Sequence, residues 1–116
     1  MARRSQRLRL LDMAAQMAAI EATVAAHGSA AMKSDWLVRN AIERGMEIIS
    51  EASRHLDPKL TSAHPDVPWR QVADIGNWLR HAYEQVDPDL ILSIITGHFP
   101  AMHAATTAML AITPED

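Results

Sequence analysis

Apolar residues fall at steps of three and four from Leu8 to Val24, where Leu10, Met13, Met17, Ile20 and Val24 form one stripe. That period is helical, and Ala14, Ala15, Ala18 and Ala22 thin the flanking surface so that neighbours can approach closely. His27 and Gly28 close this first helix, and Ser34 is the expected N-cap of the next. Val38, Ile42, Gly45, Ile49, Ala52 and Leu56 repeat the period until Asp57-Pro58 stops it. The stretch LDPKLTSAHPDVPW carries three of the six prolines and reads as a crossover loop with room for one short helical turn. Pro68 then stands where a first-turn proline is tolerated, and Val72, Ile75, Leu79 and Val86 mark the buried side of a third helix. Asp87-Pro88 supplies an N-cap and an N1 proline for a last helix along Leu90, Ile91, Ile94 and Ile95. Gly97 and Pro100 are expected to kink it before Met102, Met109 and Ile112.

These elements predict an all-α fold, an antiparallel bundle of four main helices with a short extra helical turn. At 116 residues the chain suits a single domain spanning 1–116. Apolar residues reach 48% with only 4% aromatics, so the interior must be aliphatic, and the seven methionines are expected to fill it. There is no cysteine, and the six histidines show neither HxxxH nor HExxH spacing, so no metal site and no cofactor are expected. No apolar run approaches the roughly 18 residues of a membrane span. The N-terminus lacks a signal-peptide core, and the expected location is the cytoplasm.

The formal charge of −3 argues against coating nucleic acid through bulk electrostatics; no DNA partner is expected, and any RNA contact must be local. Arg3, Arg4, Arg7 and Arg9 cluster at the start of the first helix, where positive charge opposes the helix dipole, so a solvated face is their plainest explanation.

Candidate chemistry concentrates in GNWLRHAYEQVD, residues 76–87. At about 100° per residue, Asn77 and His81 lie about 40° apart and Asn77 and Arg80 about 60° apart on the other side. Asp74 or Glu84 could orient the imidazole. An imidazole exchanges a proton near neutrality and a guanidinium holds phosphate with a fork of donors, a pairing suited to phosphodiester chemistry. A histidine beside an arginine on a helix is otherwise an ordinary solvated surface.

RLRLLDM, RNAIERGMEIISEASRHL and HPDVPWRQVADIGNWLRHAYEQVD resemble, in order and spacing, the helices and signature loop of the HepT-like members of the HEPN superfamily, from about Arg7 to Leu110. These are small helical proteins encoded beside a minimal nucleotidyltransferase. The resemblance implies an HEPN-like bundle that is the toxin of a toxin-antitoxin pair and a metal-independent endoribonuclease. It also implies a homodimer in which two motifs face each other across a cleft that takes RNA. The family signature is Arg, four residues, His, one residue, Tyr. His81 and Tyr83 fall on its histidine and tyrosine, and Asn77 on the polar residue that commonly follows the arginine. By the resemblance His81 is catalytic, and Tyr83 accepts AMP from the cognate nucleotidyltransferase antitoxin. The arginine position is Gly76. Either Arg80, one turn on, reaches back across about 6 Å to supply the charge, or the chain is a weakened module that mainly binds its partner enzyme. Gly76 could also serve close packing across a subunit contact.

Overall fold

The computed structural model describes residues 5–81 and 86–114. Among them are the helices α1 (Gln6–His27), α2 (Ala31–Ser34), α3 (Trp36–Arg54), α4 (Pro58–Thr61), α5 (Trp69–His81) and α6 (Pro88–Ile112), and no strand. The fold is all-α, as the periodicity requires.

Local chemistry sets most of the boundaries. Ser5 Oγ accepts from Leu8 N at 3.0 Å to start α1. Gly28 ends it at φ 80°, ψ 153°, a conformation essentially confined to glycine, with its N–H donated to Val24 O at 2.8 Å. Ser34 is not the cap that its position suggests. It closes the one-turn α2 and turns its hydroxyl to Ala30 O, while Asp35 caps α3 by accepting from Leu37 N at 2.9 Å and Val38 N at 3.3 Å. A carboxylate satisfies both orphan donors at once. The crossover loop holds only the four residues of α4, capped by Asp57. Asp87 caps α6 through Asp89 N at 2.9 Å with Pro88 at N1.

α6 is continuous through Gly97 and Pro100 to Ile112, so neither residue ends it. Pro100 lies on the exposed side, and the carbonyl deprived of its N–H partner belongs to Thr96, also exposed, so water can take the bond. Val86, read as part of the third helix's buried side, is buried but stands beyond the described end of α5, directly ahead of the Asp87 cap.

Cross-links fix the helix directions. Gln6 bonds His55 O and Asp57 N, whereas Ile20 meets Gly45, so α1 and α3 are antiparallel. Arg54 bonds Ala73 O and Arg39 bonds Val86 O, which sets α5 against α3 in the same sense. Arg7 reaches Leu110 O and Glu21 reaches His103, so α6 runs opposite to α1 along its other side. The layer order is therefore α5, α3, α1, α6.

The core is aliphatic and thioether-rich around Phe99, Leu10, Ile42 and Ile91. Met13, Met17, Met32, Met46, Met102 and Met109 are all buried. Among the described residues no helix is long and apolar enough to cross a membrane.

Candidate functional site

The site region is carried by α5, and its seating on α3 turns on Ser50. This serine is 1% exposed; its hydroxyl donates to Ala73 O at 2.8 Å and accepts from Gly76 N at 2.9 Å, while Arg54 Nε also donates to Ala73 O at 2.8 Å. Side-chain bonds to the backbone of the facing helix draw the two axes together. A Cβ on residue 76 would stand 3.0 Å from Ser50 Oγ and 3.3 Å from Ser50 Cβ. A Cβ here would be tighter than ordinary contact, so Ser50 would have to give by a few tenths of an ångström; the close approach is to α3 of the same chain.

The same position bears on the missing arginine of the motif. Arg80 Nη1 lies 3.3 Å from the point where the Cβ of residue 76 would be, so the guanidinium folds back one turn over Gly76. No hydrogen bond to Arg80 is found among the described residues, so its donors are uncommitted there.

Asn77 and His81 are exposed on α5, and His81 is the last residue described of that helix. The structure does not bond Arg80, Asn77 and His81 to one another among the described residues; it presents them on neighbouring sides of one helix. Asp74, expected to orient the imidazole, is exposed and lies instead with Gln71, Ile75 and Trp78 around a shallow depression on the adjoining side of α5. Tyr83 and Glu84 fall outside the described residues, as do Arg3 and Arg4 of the basic cluster.

Arg7 departs from the solvated-face expectation. Its Nη1 donates to Leu110 O at 3.3 Å and Thr113 O at 3.4 Å, so its charge complements the C-terminal carbonyls of α6 even as it opposes the N-terminus of α1.

Arg9 leads to residues that linear spacing did not reveal. It lines, with Asp12 of α1, Arg44, Glu47 and Glu51 of α3, and Arg80 of α5, a groove of about 360 Å³. His55 Nε2 lies 3.0 Å from Glu51 Oε1, and this hydrogen bond, helped by the charges of His55, Arg54 and Arg9, holds the Glu51 carboxyl below its usual range against an opposing desolvation. Glu47 pairs with Arg44 at 3.4 Å. Steps of three and four put 44, 47 and 51 on one face of α3 and 9 and 12 on one face of α1, but only the packing of three helices brings them around one volume. No group of His, Asp and Glu among the described residues has the arrangement of a metal site.

Residues 13–109 match the family described as "Ribonuclease HepT-like", a span that begins within α1, ends within α6 and includes α2 to α5. The chain belongs to the HepT-like ribonuclease family. Curated relatives agree with that HepT-like assignment. The chain is 34% identical over 64 residues to "Putative RNase MJ1380" of Methanocaldococcus jannaschii, covering 55% of this chain and 59% of that protein. It is 34% identical over 62 residues to "Probable ribonuclease HepT" of Thermococcus cleftensis, covering 53% and 56%. With "Putative RNase TTE0752" of Caldanaerobacter subterraneus the identity is 29% over 76 residues, 66% of this chain and 68% of that one. The chain thus spans less than two thirds of the length of the first two relatives. No solved structure matches it.

Proposed function

We propose that this HepT-like chain is a metal-independent endoribonuclease and the toxin of a toxin-antitoxin pair. The family match supports the reading, and Arg80 Nη1, 3.3 Å from where a Cβ on residue 76 would stand, supports Arg80 as the guanidinium nearest to the altered motif position. In this scheme the 2′-oxygen of RNA attacks the adjacent phosphorus as its proton passes to His81. The bond to the 5′-oxygen breaks, and that oxygen takes a proton from His81 of a second copy, leaving a 2′,3′-cyclic phosphate and a 5′-hydroxyl. Arg80 and Asn77 brace the phosphoryl oxygens as charge develops on them. A homodimer would gather two such sets around one strand, and the depression at Ile75 and Trp78, beside His81 on α5, offers apolar surface for that contact. The cytoplasm is the compartment in which such a toxin meets its RNA.

The test is cleavage of single-stranded RNA by the purified chain. His81→Ala should slow it by about 10²–10⁴-fold, and Arg80→Ala by about 10²–10³-fold. Both side chains are exposed, so the melting temperature should stay put. RNA left intact by the parent chain, or cut equally well without Arg80, refutes the scheme.

Gly76 favours a second reading, a module that keeps the fold chiefly to bind its cognate nucleotidyltransferase antitoxin. In either case the partner would act by transferring AMP from ATP to Tyr83: the phenol oxygen bonds the α-phosphorus, and pyrophosphate and the phenol proton leave. Incubation with ATP and that enzyme should add one adenylate by intact mass, and Tyr83→Phe should abolish the addition; an adenylate retained by Tyr83→Phe removes the assignment.

A further inference from the structure

Packing alone does not account for the groove between α1, α3 and α5. Its volume of about 360 Å³ falls in the range of small-ligand sites, about 300–1,000 Å³. Arg9 Nε is buried there without an acceptor among the described residues, and Arg80 has no hydrogen-bonded partner among them either. A buried cationic N–H without an acceptor is a standing deficit, and a phosphoryl oxygen entering the groove would relieve it. Arg44 also faces the groove; its side chain is 71% exposed and only loosely held by Glu47, so its fork can change partners. The carboxylates of Asp12, Glu47 and Glu51 balance the three arginines in formal charge. That balance suits one phosphate flanked by hydroxyls rather than a run of phosphates: guanidinium forks match phosphoryl oxygens, and carboxylates accept from ribose hydroxyls.

We infer that this groove is a nucleotide subsite for the RNA strand, in which Arg9 and Arg44 hold the phosphate next to the scissile one and Glu47 and Glu51 accept from its ribose. The inference rests on the nuclease reading, since Arg80 is shared between the groove and the reacting phosphate. The strand then enters along α1 and α3 and meets His81 at the end of α5.

The experiment is fluorescence anisotropy of a labelled single-stranded RNA with the full chain carrying His81→Ala, so that the probe is not cut. Arg9→Gln and Arg44→Ala should each weaken binding about three- to tenfold, independent of RNA sequence. Each should also reduce the slope of log affinity against log salt by about 0.7, one single-strand phosphate contact. Arg70→Ala, an exposed arginine at the start of α5 away from the groove, should change neither. Circular dichroism checks that Arg9→Gln is folded, and the exposed Arg44 gives the second, structurally mild variant. Unchanged affinity and slope in both variants, or an equal loss in Arg70→Ala, overturns the subsite while His81-dependent cleavage still stands. RNA held through Arg9 and Arg44 but never cut by the parent refutes the nuclease reading and keeps the groove as an RNA site; no binding by the parent overturns both.

Discussion

Replacing Gly76 by alanine sets two effects of known sign against each other. Alanine in a helix interior is favoured over glycine by about 1 kcal/mol. The new methyl, however, would stand 3.0 Å from Ser50 Oγ, tighter than side chains normally tolerate, and Ser50 cannot yield cheaply. Its hydroxyl is held at 2.9 Å by Gly76 N and at 2.8 Å to Ala73 O, and moving it by a few tenths of an ångström weakens both bonds. Each such bond is worth about 0.5–1.5 kcal/mol net, and overpacking a tight seam typically costs about 1–3 kcal/mol. The balance is a destabilisation of about 1 kcal/mol. Removing the hydroxyl first changes the sign. In a Ser50→Ala background the nearest atom is gone, Ala73 O keeps its bond from Arg54 Nε, and the intrinsic preference for alanine should show through. The two substitutions should therefore couple by at least about 1 kcal/mol in a double-mutant cycle. Urea unfolding followed by far-ultraviolet circular dichroism measures this as midpoint shifts at constant slope. If Gly76→Ala stabilises the parent as much as it stabilises Ser50→Ala, the close approach at Gly76 does not constrain the helix seam. Because the same methyl falls 3.3 Å from Arg80 Nη1, RNA cleavage by Gly76→Ala should fall as well.

Gly28→Ala should cost about 1–3 kcal/mol, because φ 80° with ψ 153° is open to glycine alone; an unchanged urea midpoint would mean that the α1 terminus relaxes freely. Glu51 predicts an acid-side effect. Its folded carboxyl titrates below its unfolded value, so its stabilisation is present above the ordinary carboxylate pKa of about 4.3 and is lost as pH falls through the lower folded value. The pair with His55 is largely exposed, so Glu51→Gln should cost less than about 1 kcal/mol near neutrality and nothing in strong acid; a difference that persists there contradicts the linkage.

The helices were legible because hydrophobic period and cap chemistry are local. Leu10, Met13, Met17 and Ile20 announce α1 within a few turns, and Asp87-Pro88 announces the start of α6 in two residues. How α6 tolerates Pro100 was not legible, because a proline's cost depends on whether the freed carbonyl meets water, which only the exposure of that side of α6 decides. Ser34 misled because Asp35 beside it is the better acceptor, a competition settled by backbone geometry.

Asn77, Arg80 and His81 could be placed on one helix from spacing alone, whereas the missing arginine at Gly76 was legible only through the resemblance to the family signature. What spacing could not supply is where a flexible side chain ends: that Arg80 turns back over Gly76, and that Ser50, twenty-six residues earlier, holds the glycine close. Arg9, Arg44 and Glu51 carry no shared signal along the chain, since they come to one groove only when α1, α3 and α5 pack. Sequence by itself determined the elements, because their signals lie within one or two turns of chain; tertiary structure decided the candidate site, because its contacts join residues whose separation carries no period.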